Sequence, residues 1–311
     1  MEGLAALPPG DLWGRVGWYV EPLGVTKDLQ PWPNGDGGAG RDPSAWAWEG
    51  AVEPPLRGRQ AKPRQVGLTM VLDKGTPLQV LDGLLAVAAP YVDFWKLAFG
   101  TSALLAQEAL AERVEVARRY GVEVYPGGTL LEVALFQGRL EAWIDRASAV
   151  GIRTVELSDG TISLSLEERC RILRRLRREG FTVVTEVGKK HPDDRPDPAV
   201  LLRTLRVDLN EGAAWVIVEG RESGHTVGIY RGDGSIDSDL LDALVEAAGG
   251  PERIIWEAPR KSQQEELLRR FGVNANLGNV EPPGILALEA LRVGLRGDTF
   301  RPVVRDSERR A

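Results

Sequence analysis

The chain has very few of the residues that disulfides and zinc sites need. Among its 311 residues there are one cysteine, Cys170, and two histidines, His191 and His225. A single cysteine excludes a disulfide framework, and three such side chains leave too few ligands for a Cys/His zinc site. This composition predicts an intracellular, cytoplasmic protein.

Long apolar runs and a charge of one dominant sign are also missing. No stretch of about eighteen apolar residues occurs without a charge, and no basic segment followed by an apolar run stands near the start. We therefore expect neither a membrane span nor a signal peptide. The formal net charge is -6 and basic residues are interspersed with acidic ones, which disfavours a nucleic-acid partner.

Residues 1–62 differ in composition from the rest of the chain. Proline, glycine and tryptophan are dense there, and neither a strand period nor a helix period can be recognised. The segment holds five of the nine tryptophans, more aromatic surface than a free tail usually carries. We predict an irregular extension that packs against the main domain or against a neighbouring subunit.

From residue 63 onward, eight short apolar runs alternate with amphipathic stretches. The runs are Val66–Asp73, Val92–Ala98, Val122–Pro126, Thr154–Ser158, Thr182–Val187, Trp215–Glu219, Arg253–Glu257 and Val273–Leu277. Helix punctuation lies between them, such as the capping box of Ser165 and Glu168. Eight β-then-α units predict an α/β fold, a single (β/α)8 TIM barrel over residues 63–304, followed by a polar tail, 305–311.

Carboxylates lie inside the apolar runs themselves, at the carboxyl ends where such barrels carry their active sites. A buried carboxylate must be paired or bound to a metal, and oxygen ligands without cysteine or histidine favour Mg²⁺. Glu186 and Glu219 are the leading predicted ligands, followed by Glu156 and Asp159. The alternative is that these acids only form structural ion pairs with nearby lysines and arginines.

Glycine residues, together with amide and arginine side chains, cluster after the last two runs, where barrels commonly hold a phosphate. The predicted substrate-binding residues are Asn276, Gly278, Asn279, Arg296 and Gly297. The same glycines would also suit ordinary turns. His191 and His225 follow charged motifs and are candidates for proton transfer, although loop histidines are often only polar loop residues.

Seven blocks at successive predicted strand ends together resemble one known family. They are residues 67–75 (GLTMVLDKG), 100–102 (GTS), 125–130 (YPGGTL), 185–190 (TEVGKK), 219–224 (EGRESG), 257–262 (EAPRKS) and 294–300 (GLRGDTF). Over residues 63–302 the chain closely resembles the phosphosulfolactate synthase family. The resemblance implies a homo-oligomeric TIM barrel, with a trimer as one form, that adds sulfite to phosphoenolpyruvate with Mg²⁺, an early step toward coenzyme M or related sulfonates.

The residues suit that chemistry. Sulfite attack on the methylene carbon moves charge onto the substrate carboxylate, where a metal stabilises it, and C2 then needs a proton. Lys189 or Lys190 is the predicted general acid, on the expectation that burial and neighbouring cations lower the pKa of the lysine. Arg221, Lys96 and Lys74 are predicted to hold the phosphate, carboxylate and sulfite groups.

Two departures from the family pattern stand out. The extension over residues 1–62 has no recognised counterpart, and Val66 replaces an arginine found in some members before Gly-Leu-Thr, so that Arg64 would have to supply that anion contact. Two other functions remain open: a non-catalytic relative of plant heat-stress-associated proteins, and a different lyase acting on a phosphorylated acid. Retention of Lys74, Lys189, Lys190 and Arg221 favours catalysis.

Overall fold

The computed structural model describes residues 46–190 and 197–310. Eight strands form one sheet: β1 Thr69–Asp73, β2 Phe94–Leu97, β3 Glu123–Pro126, β4 Thr154–Leu157, β5 Thr182–Val187, β6 Trp215–Val218, β7 Ile254–Glu257 and β8 Leu277–Val280. Ten α-helices are described: α1 Leu78–Ala88, α2 Gln107–Arg119, α3 Gly128–Phe136, α4 Leu140–Ala149, α5 Leu166–Arg178, α6 Pro198–Asn210, α7 Ser238–Ala248, α8 Lys261–Phe271, α9 Ile285–Arg292 and α10 Gly297–Arg310.

The sheet closes on itself almost completely. Parallel ladders run in the order β3-β2-β1-β8-β7-β6-β5-β4, and β3 then lies next to β4 without a ladder between them. Helices separate successive strands and cover the outside, so the predicted (β/α)8 TIM barrel is confirmed. The predicted capping box is also present, since the Glu168 N–H donates to Ser165 Oγ.

Side chains alternate between the barrel interior and the helix layer. The interior is filled by Leu68, Met70, Phe94, Tyr125, Val184, Trp215, Ile217 and Ile255. Phe94 packs edge-on against the rings of Tyr125 and Trp215, with centroids 5.9 and 5.6 Å away. This apolar layer lies directly below the carboxyl ends of the strands, which form the polar mouth of the barrel.

The eighth strand lies farther along the chain than predicted. Val273–Leu277 has the alternation of a strand, but β8 covers Leu277–Val280. Asn274 instead binds backbone groups of Gly58 and Gln60, and Asn276 accepts the N–H of Leu68 while donating to the carbonyls of Glu252 and Ile254. These amides compete with the ladder for backbone partners and hold residues 273–276 as the turn into β8.

The described end of the N-terminal extension packs under the amino end of the barrel. Lys62 Nζ donates to the carbonyls of Val92 and Gly121, both 2.6 Å away, and Arg59 pairs with Glu289. Arg64 is buried against Asp93 at the same end, 2.9 Å away. It therefore cannot supply the anion contact at the mouth that the sequence suggested for it. Residues 1–45 lie outside the described residues.

The predicted polar tail begins inside a helix. Helix α10 continues through Arg310, so that 305–310 extend a helix that begins before the predicted end of the barrel domain. No helix among the described residues is long and apolar enough to span a membrane.

Candidate active site

A period of two places five charged side chains in one layer at the mouth. Residues two apart along a strand face the same side of a sheet. Phe94, Val184, Ile217 and Ile255 fill the interior, so Lys96, Glu186, Glu219 and Glu257 stand directly above them. On β4 the same pattern carries Glu156, and all five side chains are buried.

Lys96 is the centre of this layer. Its Nζ lies 2.9 Å from Glu156 Oε2, 3.1 Å from Glu186 Oε2 and 3.2 Å from Glu257 Oε1. Burial by itself lowers the pKa of Lys96, but the surrounding carboxylates raise it well above its usual value. The ammonium is therefore engaged with protein carboxylates and organises them, which differs from the predicted role of holding a substrate anion.

Three carboxylates on neighbouring strands form a possible cation site. One oxygen from each of Glu186, Glu219 and Glu257 lies within 4.8 Å of the others. Burial, together with the charges of Glu186 and Glu257, raises the pKa of Glu219 well above its usual value. Burial opposes ionisation of Glu186 too, yet Lys190 and Lys96 lower its pKa. The two lysines thus keep Glu186 ionised, whereas burial and the neighbouring carboxylates favour the protonated form of Glu219.

The oxygens of this cluster fit a hard cation such as Mg²⁺. Within residues 46–190 and 197–310, Oε2 of Glu219 is buried and has no hydrogen-bond partner, while Oε1 accepts the N–H of Arg221. Oε2 of Glu257 already accepts the N–H groups of Gly220 and Arg221. Glu186 and Glu219 therefore retain the most capacity for a metal, which prefers such carboxylate oxygens.

The two adjacent lysines after β5 have different surroundings. Lys189 Nζ donates to the carbonyl oxygens of Asp159 and Ile162, away from the carboxylate layer. Lys190 Nζ turns to the mouth, where it donates to Thr129 Oγ1, 2.6 Å away, and lies 3.5 Å from Glu186 Oε1. Of the two candidates for general acid, only Lys190 faces the site.

The expected lowering of the lysine pKa is wrong for Lys190. Burial does lower it, but the carboxylates of Glu186, Glu156 and Glu219 raise it by more, and the net pKa is well above the ordinary value. Lys190 is consequently a protonated ammonium at neutral pH, able to donate a proton or bind an anion.

Glu156 and Asp159 lie outside the three-carboxylate group. Glu156 Oε1 accepts the N–H of Gly128 at 2.6 Å, and its other oxygen faces Lys96. Burial raises its pKa to about 7. Asp159 pairs with Arg169 at 3.0 Å and with Lys189 at 3.4 Å. Asp159 thus forms structural ion pairs, the alternative that the sequence left open.

Two predicted cations stand at the mouth. Arg221 follows β6 with a left-handed backbone, φ 55°. Its backbone N–H donates to both Glu219 and Glu257, and its carbonyl oxygen accepts from Asn279 Nδ2. In the described part of the chain its guanidinium has no ion-pair partner. Lys74, after β1, pairs at the exposed rim with Glu281, 2.9 Å away.

The predicted phosphate-binding residues are not brought together. Asn279 lies at the mouth, with its buried Oδ1 unpartnered among the described residues. Asn276 lies at the opposite, amino end of β8, and its amide is saturated by backbone groups. Gly278 packs against Met70, where an added Cβ would meet the Met70 Cε at 2.4 Å. Gly278 is thus a packing residue.

Arg296 and Gly297 lie beyond α9, at the start of α10. The side chain of Arg296 is 3.6 Å from Asp298, which also pairs with Lys261. These contacts do not include the carboxylate layer, so the structure does not bring Arg296 to it. His225 lies in the loop between β6 and α7, and its buried Nδ1 has no partner within the described residues. His191 lies outside the described residues.

Two carboxylates were missed by the sequence analysis. Glu257 lies two residues after the interior residue Ile255, and Glu186 and Glu219 have the same spacing from interior residues of their own strands, so the period of two could have identified it. Glu132 is on α3 and is buried beside the β4–α5 loop. Nothing in the pattern of a helix marks such a residue, because its role depends on a loop far along the chain.

TIM-barrel enzymes carry their active sites at the carboxyl ends of the strands, which is where this chain has its buried layer of carboxylates and lysines. The fold and the site together define a TIM-barrel enzyme. Residues 57–298 match the family model of (2R)-phospho-3-sulfolactate synthase (ComA). The chain belongs to this family.

Curated relatives are similar in sequence over most of the chain. The phosphosulfolactate synthase of Methanothermobacter thermautotrophicus is 44% identical, over 79% of this chain and 95% of its own length. That of Methanocaldococcus jannaschii is 40% identical, over 77% of this chain and 96% of its own. The Bacillus subtilis enzyme is 33% identical, over 78% and 95%.

Proposed function

We propose that the chain is a phosphosulfolactate synthase, a lyase that joins sulfite to phosphoenolpyruvate in a Mg²⁺-dependent reaction. Membership of the family supports this function, and the carboxylate layer around Lys96 with Lys190 beside it carries the proposal structurally. A substrate with a carboxylate and a phosphate needs cations at the mouth, and a carbanion-like intermediate needs a proton donor.

Glu186 and Glu219 would hold the metal, with Glu257 beside them. When bound, Mg²⁺ stabilises negative charge on the substrate carboxylate. Glu219 would offer the cation its Oε2, which has no hydrogen-bond partner among the described residues. Lys96 keeps the remaining carboxylates in place by neutralising part of their charge.

The bond changes balance without an oxidant or a leaving group. The sulfur lone pair of sulfite forms a bond to the methylene carbon of phosphoenolpyruvate, and the double-bond electrons move toward C2 and the carboxylate. One proton is then added at C2, and the phosphate ester remains intact. The product is 2-phospho-3-sulfolactate.

Lys190 supplies that proton. The nearby carboxylates outweigh the effect of burial on its pKa and keep its ammonium protonated at neutral pH, and it is the lysine of the pair that faces the layer. Arg221, whose guanidinium has no ion-pair partner among the described residues, binds an anionic group of the substrates, and Lys74 adds positive charge at the rim. Both side chains act by orienting the bound substrates.

The test is direct. Purified protein is mixed with phosphoenolpyruvate, sulfite and Mg²⁺, the loss of enol absorbance is followed, and the product is identified by mass spectrometry. We expect loss only when sulfite and Mg²⁺ are both present, and none after chelation with EDTA. Folded protein that produces no phosphosulfolactate would exclude the function. Light scattering tests the accompanying proposal of a homo-oligomer.

A further inference from the structure

Where β3 lies next to β4, no ladder joins the barrel, and side chains of α3 cross the gap instead. Glu132 on α3 is buried, 1% exposed. Its carboxylate accepts the hydroxyl of Ser158 and the N–H groups of Gly160, Thr161 and Ile162, at 3.1, 2.7 and 3.1 Å for the last three. One carboxylate therefore fixes residues 158–162 of the β4–α5 loop.

That loop shapes the surroundings of Lys190. The Lys190 N–H donates to the Gly160 carbonyl, 3.2 Å away. The aliphatic stem of Lys190 crosses directly over Gly160, where an added Cβ would lie 2.9 Å from Lys190 Cε. The loop thus supports Lys190 along its backbone and along its stem.

The ammonium of Lys190 is held by the same helix. Thr129 and Glu132 are one turn apart on α3 and face the same way. Thr129 Oγ1 lies 2.6 Å from Lys190 Nζ, and Glu132 Oε1 lies 3.6 Å from it. Lys190 therefore lies between α3 and Glu186, with a fixed direction into the site.

We propose that Glu132 is a positioning residue of the reaction: it holds the loop 158–162 and the ammonium of Lys190 so that the proton donor points at the substrate. The inference rests on the proposed function for its catalytic part. Its structural part, that Glu132 controls the placement of Lys190, stands on the contacts alone.

A double-mutant cycle separates positioning from general stability. Glu132→Gln keeps the shape of the side chain and removes its charge, and we expect kcat to fall about a hundredfold while KM for phosphoenolpyruvate changes about threefold or less. In a Lys190→Met background the same change should have almost no further effect on kcat. The exposed Glu141, paired with Arg175, gives the matched control Glu141→Gln, which should leave kcat unchanged.

The proposal would be overturned if the effects of Glu132→Gln and Lys190→Met on kcat were additive. It would also be overturned if Glu132→Gln lowered the thermal midpoint of unfolding but left kcat unchanged. Circular dichroism checks folding of each variant. If Glu132→Gln does not fold, the variant Glu132→Asp is used in its place. Aspartate keeps the negative charge but is shorter by one methylene group, so we then expect kcat to fall about tenfold.

A second readout does not depend on activity. Lys190 is acylated with acetic anhydride in the folded protein, and the rate is followed by mass spectrometry of the peptide. We expect Glu132→Gln to accelerate labelling of Lys190 severalfold and to leave Lys74 unchanged. Unchanged labelling of Lys190 would refute control by Glu132. An inactive wild type with accelerated labelling would refute the proposed function alone.

Discussion

Nη2 of Arg169 lies 2.9 Å from the main-chain carbonyl oxygen of Glu186, which fastens α5 to the strand end that carries the candidate metal ligand. The guanidinium is buried and is paired in turn with Asp208 on α6, at 2.7 Å, and with Asp159. The carboxylate layer is thus held from outside the barrel by a buried ion-pair network that links β5 to two helices.

Asp208→Asn should destabilise the fold strongly. Removing one partner of a buried pair leaves the Arg169 charge poorly compensated, so we expect a loss of about 3–5 kcal/mol in the free energy of unfolding. Chemical denaturation measures it, with Glu141→Gln at an exposed ion pair as the control. A loss as small as that of the control would show that the network does not support the site.

Glu219→Gln should weaken metal binding. Glutamine cannot ionise, so the change removes the carboxylate whose Oε2 has no partner among the described residues, and we expect the dissociation constant for a divalent cation to rise at least about tenfold. Mn²⁺, which also prefers oxygen ligands, allows the titration to be followed by electron paramagnetic resonance without turnover. Equal affinities in Glu219→Gln and wild type would remove Glu219 from the site.

Stability should depend on pH through Glu156. Burial raises the pKa of its carboxyl from 4.5 to about 7 in the folded protein. Between these values the folded protein binds more protons at this group than the unfolded chain, so the contribution of Glu156 to stability falls as the pH rises and is constant above about 7.

The matched variant isolates this effect. The free energy of unfolding of Glu156→Gln, relative to wild type, should increase as the pH rises from 4.5 to about 7 and then level off. Urea denaturation at a series of pH values provides the curve. A difference that stays constant, or that decreases over this range, would contradict the raised pKa.

Much of this arrangement could be predicted from the sequence, because it follows from strand periodicity. Glu156, Glu186 and Glu219 interrupt apolar runs, and in a parallel barrel such positions must meet at the mouth. What distinguishes Lys189 from Lys190 is not periodic. Gly188, with φ 121°, bends the chain after β5, and the loop carbonyls that then take up Lys189 belong to a different unit of the barrel.

The errors have a common physical cause. Asn274 and Asn276 alternate with apolar residues as strand residues do, but their amides bind backbone groups and delay β8. Arg296 and Gly297 resembled a phosphate loop, yet they follow the helix after β8, and Arg296 lies beside Asp298, which pairs with Lys261 of α8. In each case a side chain's partner, not its spacing, decided the outcome.

The most direct test of the central claim compares two adjacent lysines in the sulfite-dependent consumption of phosphoenolpyruvate. Lys190→Met should lower kcat by about 10²–10⁴-fold, because it removes the general acid, whereas Lys189→Met should retain most of the activity. Lys189 is the matched control, since it has the same charge one residue away and faces the loop carbonyls. Full activity in Lys190→Met, or equal losses in both variants, would contradict the account.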